Sequence, residues 1–97
     1  MKTISLTPAA EKDLQAAWQF YERLEQGLGN YCIDALITDL DSLQFYSGIH
    51  PQFFGYYRLL AKRFPYAIYY SILDNEVVVS AILATKQNPQ KTSKRFD

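Results

Sequence analysis

The hydrophobic positions of this chain change period as it proceeds. Ile4 and Leu6 alternate with polar neighbours over residues 2–6, as in a short strand. Thr7-Pro8-Ala9-Ala10-Glu11 then predicts a helix start. The threonine can cap it, the proline suits a first turn that needs no N–H, and Glu11 and Asp13 favour the positive end of the helix dipole. Ala10, Leu14, Ala17, Trp18, Tyr21 and Leu24 recur three and four apart and predict one buried face. The helix should stop near Glu25-Gln26-Gly27, with Gly27-Leu28-Gly29 as a turn into a second helix. Without a preceding strand or a G-x-G-x-x-G pattern, these glycines read as a hinge and not as a phosphate loop.

The second helix is predicted from about Asn30 to Gln44, with Cys32, Ile33, Leu36, Ile37, Leu40 and Leu43 inside and Asp34, Thr38, Asp39 and Asp41 outside. Two amphipathic helices joined by a short connection form an antiparallel hairpin. Phe45 to Gly55 has no clean period and reads as a loop. Tyr56–Ala61, Phe64–Leu73 and Glu76–Leu83 then carry the branched and aromatic residues of strands. Asp74-Asn75 is a two-residue hairpin turn that tolerates positive φ. Along the middle strand, Phe64, Tyr66, Ile68, Tyr70 and Ile72 share one face, and Ala67, Tyr69 and Ser71 the other. Pro89 is expected to end regular structure.

The order β-α-α-β-β-β predicts an α+β fold: an N-terminal strand, then a two-helix antiparallel hairpin packed on a mostly antiparallel sheet. Residues 1–97 make one domain, with 90–97 as a basic polar tail. Two helices cover only one face of a sheet. The second face, with Tyr69 on it, therefore awaits a partner or a tail segment.

Charge adds a division to this picture. The ten basic and ten acidic residues cancel, so no global field draws the chain to nucleic acid or membrane. Residues 1–50 nevertheless hold three basic and seven acidic groups, and residues 51–97 seven basic and three acidic. A basic half can attract an acidic partner, although lysines at strand edges also guard against edge pairing. Apolar runs are strand-sized, far short of a membrane span. The first residues lack a signal-peptide core, and the single cysteine suits a reducing compartment, so a cytoplasmic location is expected.

Candidate chemistry is sparse. His50, the only histidine, lies beside Pro51 with no carboxylate at ligand spacing, so neither a metal site nor a nucleophile dyad is expected. Cys32 falls on an apolar stripe and reads as a core residue. The carboxylate pairs Asp39/Asp41 and Glu22/Glu25 read as solvated helix positions. Metal-free RNA cleavage would need a base, an acid and cations around the phosphate. Arg58, Lys62, Arg63 and Lys86 could supply the cations, but no base is evident. No cofactor and no catalytic residue is assigned.

Three segments carry a resemblance: Ser5-Leu6-Thr7-Pro8-Ala9-Ala10-Glu11-Lys12-Asp13-Leu14, Gly27-Leu28-Gly29, and above all Arg63-Phe64-Pro65-Tyr66-Ala67-Ile68-Tyr69-Tyr70. In order, spacing and length the chain resembles the ParE branch of the RelE/ParE toxin superfamily over nearly its whole extent. The resemblance implies a toxin of a bacterial type II toxin–antitoxin pair, held inactive by a small antitoxin whose flexible C-terminal segment folds onto it in a hetero-oligomer. RelE-like relatives cut mRNA on the ribosome, whereas ParE-like relatives inhibit DNA gyrase. Where the ribonuclease branch has a central-strand arginine, this chain matches with Ala67. A histidine near the end of the last strand is matched by Ala84, and the two basic positions after it by Lys86 and Gln87. The resemblance therefore implies inhibition by binding, with gyrase as target. The alternatives are a RelE-like ribonuclease and a decayed toxin that only binds antitoxin. Lys86, Lys91, Lys94 and Arg95, clustered near the C-terminus, are expected to contact the target. Trp18, Tyr21, Arg58 and Tyr69, on the helical hairpin and the open sheet face, are expected to contact the antitoxin.

Overall fold

The computed structural model describes residues 1–86 and 88–96. Strand β1 (Thr3–Leu6) leads into α1 (Pro8–Leu24) and α2 (Leu28–Tyr46). Four strands follow: β2 (Gln52–Phe53), β3 (Tyr56–Leu60), β4 (Tyr66–Leu73) and β5 (Glu76–Ala84). A last helix, α3, spans Pro89–Arg95. The sheet order is β1-β5-β4-β3-β2. β1 runs parallel to β5 and every other pairing is antiparallel, so the sheet is mixed.

Local chemistry explains the element ends. Thr7 caps α1 by accepting the Ala10 N–H at 3.2 Å, with Pro8 in the first turn. Gly27, at φ 89°, makes the left-handed turn between the helices. No side chain at that position caps α2. Instead the Glu22 carboxylate accepts the N–H groups of Gly27 and Gly29 at 3.0 Å, so α2 begins at Leu28 and not at Asn30. Glu22 is thus a helix cap rather than a merely solvated acid. Asp74, at φ 54°, forms the β4–β5 hairpin with Leu73 opposite Glu76.

The helices cover one face of the sheet. Ala10, Ala17, Cys32, Leu36, Leu40 and Leu43 meet Ile68, Tyr70, Val77, Val79 and Ile82 in one buried cluster, with Phe64, Tyr66 and Ile72 at its margin. Burial pushes the Cys32 thiol up to about 11, as an inert core cysteine requires. Four positions depart from the predicted stripes. Leu24, Ile37 and Trp18 are 64%, 42% and 37% exposed, while Asp39 is 6% exposed. Asp39 is drawn inward because its Oδ2 accepts the Lys62 N–H at 3.1 Å and so anchors the β3–β4 connection.

Two further corrections concern the loop and the tail. The predicted loop over Phe45–Gly55 holds the end of α2 and the edge strand β2, which is only two residues long and leaves no periodic trace. His50, for which the sequence offers no carboxylate partner, bonds through Nδ1 to the Tyr70 hydroxyl, which also accepts the Gly48 N–H at 2.9 Å. Beyond Pro89 the chain is helical and not an irregular tail. Asn88 caps α3 by accepting the Gln90 N–H at 2.8 Å, and Pro89 opens the helix as Pro8 opens α1. Phe96, just past α3, packs on Phe54, Tyr56 and Tyr69 and covers part of the second sheet face.

Candidate functional site

A β-bulge organises the C-terminal surface. Tyr69 pairs with Ala81 and Tyr70 with Val79, so Ser80 is the extra residue on β5. The Ser80 carbonyl accepts Arg95 Nη2 at 3.1 Å, and the nearby Ile82 N–H donates to Asp13 Oδ2 at 2.9 Å. Arg95 also engages Asp13 through both terminal nitrogens, at 3.1 and 2.7 Å. The bulge, α1 and α3 are thereby tied at one point.

This geometry separates the four residues predicted to contact a target. Lys86 is exposed just beyond β5, and Lys91 and Lys94 are exposed one turn apart on α3. Arg95 is held within the fold by Asp13 and orients the helix that carries the two lysines. Gln87 lies outside the described residues.

The four residues predicted to contact an antitoxin do not form one patch. Trp18 is 37% exposed at the helical hairpin, its indole N–H donating to Asn30 Oδ1 at 2.8 Å. Tyr21 is half-buried among Phe20, Phe64 and Tyr66. Tyr69 is buried beneath Phe96, so it is not on an open face. Arg58 lies on β3 opposite Tyr69, with its guanidinium carbon 3.8 Å from the centre of the Phe53 ring.

An apolar groove of about 450 Å³ runs between α1 and the neighbouring ends of β4 and β5, lined by Phe20, Tyr21, Pro65, Tyr66, Leu83 and Lys86 among others. Phe20, 57% exposed, was missed from sequence because it lies off the α1 stripe. An off-stripe aromatic was itself the available signal. Asp13 was assigned only to the helix dipole, and no periodicity reveals its bond to a strand 69 residues away. Tyr66 sits at the groove's inner wall, its hydroxyl pushed up to about 12, chiefly by burial.

The family model for the ParE toxin of the parDE type II toxin–antitoxin system matches residues 4–89. The chain belongs to the ParE toxin family. A solved structure described as the chromosomal ParDE toxin–antitoxin system from P. aeruginosa is similar to this toxin with a TM-score of 0.80 and 19% identity. That likeness covers 89% of this chain and 98% of the other, and it establishes the shared fold. No curated protein sequence matches. The toxin's membership in a parDE-type pair implies a cognate antitoxin. Among the described residues, no helix of the toxin is long and apolar enough to cross a membrane.

Proposed function

We propose that this ParE toxin acts by binding and not by catalysis, with DNA gyrase as its target and the cognate antitoxin as its inhibitor. One observation carries the reading. The two strand positions where ribonuclease relatives are expected to hold arginine and histidine carry Ala67 and Ala84, on paired strands where Ala67 faces Leu83 and Tyr66 faces Ala84. A methyl group can neither stabilise phosphorane charge nor move a proton. The one histidine is bonded to Tyr70, part of the helix-covered core, and burial holds its pKa below the ordinary value.

Target contact is assigned to Lys86, Lys91 and Lys94, three ammonium groups on the end of β5 and the outer side of α3, with Arg95 fixing that helix in place. The antitoxin is assigned to the helical hairpin around Trp18 and Tyr21 and to Arg58 on the second sheet face, with Tyr69 beside it on β4. A cytoplasmic site of action follows from the target.

Induction of the toxin alone, with pulse labelling of DNA and protein synthesis, tests the reading. Thymidine incorporation should fall before methionine incorporation, and the purified toxin should inhibit gyrase supercoiling. Methionine falling first would replace this reading with ribosome-dependent RNA cleavage. The combined variant Lys86→Glu, Lys91→Glu, Lys94→Glu should weaken gyrase inhibition about tenfold or more, through lost charge complementarity. Unchanged inhibition would remove the lysines as target contacts.

A further inference from the structure

Among the described residues, Arg58 is a cation without a counterion. Among the described residues its side chain makes no salt bridge and no hydrogen bond, and its Nε is sealed from water without an acceptor. A buried guanidinium donor left unpaired is costly, and such groups call for an explanation. The side chain also borders a pocket of about 240 Å³ on the second sheet face, shared with Phe53, Phe54, Tyr69, Thr85 and Thr92.

We infer that this pocket is a subsite for a side-chain carboxylate of an acidic, apolar peptide, with Arg58 as its anchor. The inference rests on the reading of the chain as a toxin held by a protein partner, and it names the chemistry of that hold. The cation–π contact with Phe53 restrains the guanidinium, whose planar fork of N–H groups suits a two-oxygen acceptor. The Phe53, Phe54 and Tyr69 rings provide apolar walls for the side chains flanking the carboxylate, and Thr85 and Thr92 complete the lining.

The charge distribution favours a peptide over a nucleic acid. A phosphate backbone is held by several cations along a track. Among the described residues, Arg58 is the one charged residue lining the pocket. Lys62 and Arg63 line a different pocket, beside α2, together with Asp34 and Asp39. Arg95 is already neutralised by Asp13. A single buried-edge cation among aromatic rings matches one carboxylate between apolar neighbours.

The test uses the full chain and three probes: a fluorescein-labelled peptide alternating leucine and glutamate, its leucine–glutamine counterpart, and a single-stranded RNA of similar length. Anisotropy should show the glutamate peptide binding about tenfold tighter than the glutamine peptide, the order expected for a charge-assisted pair. Arg58→Gln should erase that preference and Arg58→Lys should keep part of it, with thermal melts confirming folded protein. On the unaltered chain, the Arg58 Nε–H resonance should shift saturably with the glutamate peptide alone, a readout that survives if the variants do not fold. Equal binding of the two peptides, an indifferent Nε–H, or RNA displacing the glutamate peptide would overturn the inference. None of these measurements depends on gyrase or toxicity, so failure here leaves the pulse-labelling result to judge the proposed function separately.

Discussion

Arg95 grips Asp13 with both terminal nitrogens across 82 residues of sequence, at 3.1 and 2.7 Å. The pair is only partly open to solvent, the side chains being 25% and 15% exposed. Asp13 does more than pair with charge. Its Oδ2 also accepts the Ile82 N–H, and Arg95 also reaches the Ser80 carbonyl, so the two side chains together satisfy backbone groups at the β5 bulge and just after it.

This sharing predicts unequal losses. Asp13→Ala removes the partner of a buried backbone donor as well as the ion pair and should cost about 2–3 kcal/mol. Arg95→Ala leaves the Ile82 bond intact and should cost about 1 kcal/mol, screened by its partial exposure. Urea denaturation of both variants checks the order, and equal losses would show that the Ile82 bond carries no weight.

Phe96 predicts a local rather than a global effect. Its ring lies 4.9 Å from those of Tyr56 and Tyr69 and 5.3 Å from that of Phe54, on the face away from the two long helices. Phe96→Ala should release about 2 kcal/mol of packing, because the ring is half-buried. Hydrogen exchange should then show α3 amides losing protection while Ile68 and Tyr70 keep theirs. Uniform loss across the sheet would mean that α3 unfolds only with the whole domain.

Gly29 predicts a clash between helices. A Cβ there would lie 2.7 Å from the Trp18 carbonyl oxygen and 2.8 Å from Trp18 Cδ1. Helix propensity favours alanine by about 1 kcal/mol. Overpacking against backbone costs up to about 3 kcal/mol. Gly29→Ala should therefore destabilise by about 1–2 kcal/mol net and shift Trp18 fluorescence, and a stabilised variant would contradict the close approach.

His50 predicts a pH dependence. Burial lowers its pKa in the folded state, below the ordinary imidazole value of about 6.5. The unfolded chain therefore binds its proton first, so this contribution to stability is present above about pH 6.5 and is lost as pH falls through the folded-state pKa. Denaturation at neutral and mildly acidic pH should show this loss, and His50→Gln should flatten that part of the profile. An unchanged slope would separate His50 from the acid response.

Much of this toxin was legible in local pattern. Thr7-Pro8 marks the start of α1, Asp74-Asn75 marks the hairpin, and alternation along β4 separates Ile68 and Tyr70 from Ala67 and Tyr69. Each depends on groups close in the chain, whose conformational preferences act before any long-range contact forms. The family was legible for a related reason, since its Arg63–Tyr70 segment is one continuous strand approach.

The tertiary structure decided what depends on distant partners. Simple alternation would put Val77, Val79, Ala81 and Leu83 on one face of β5. The bulge at Ser80 instead turns Ile82 toward the helices with Val77 and Val79, and sends Ala81 and Leu83 to the second face. That switch needs Asp13 and Arg95 to satisfy the displaced backbone groups, and neither signals its role in its own neighbourhood. Asp39 turns inward only because the Lys62 N–H needs an acceptor. The C-terminal residues fold onto the sheet because Phe96 finds Phe54, Tyr56 and Tyr69 waiting on an apolar face. Local sequence sets periods and caps, whereas the choice among faces is made by hydrogen bonds and rings that meet only when the chain is closed.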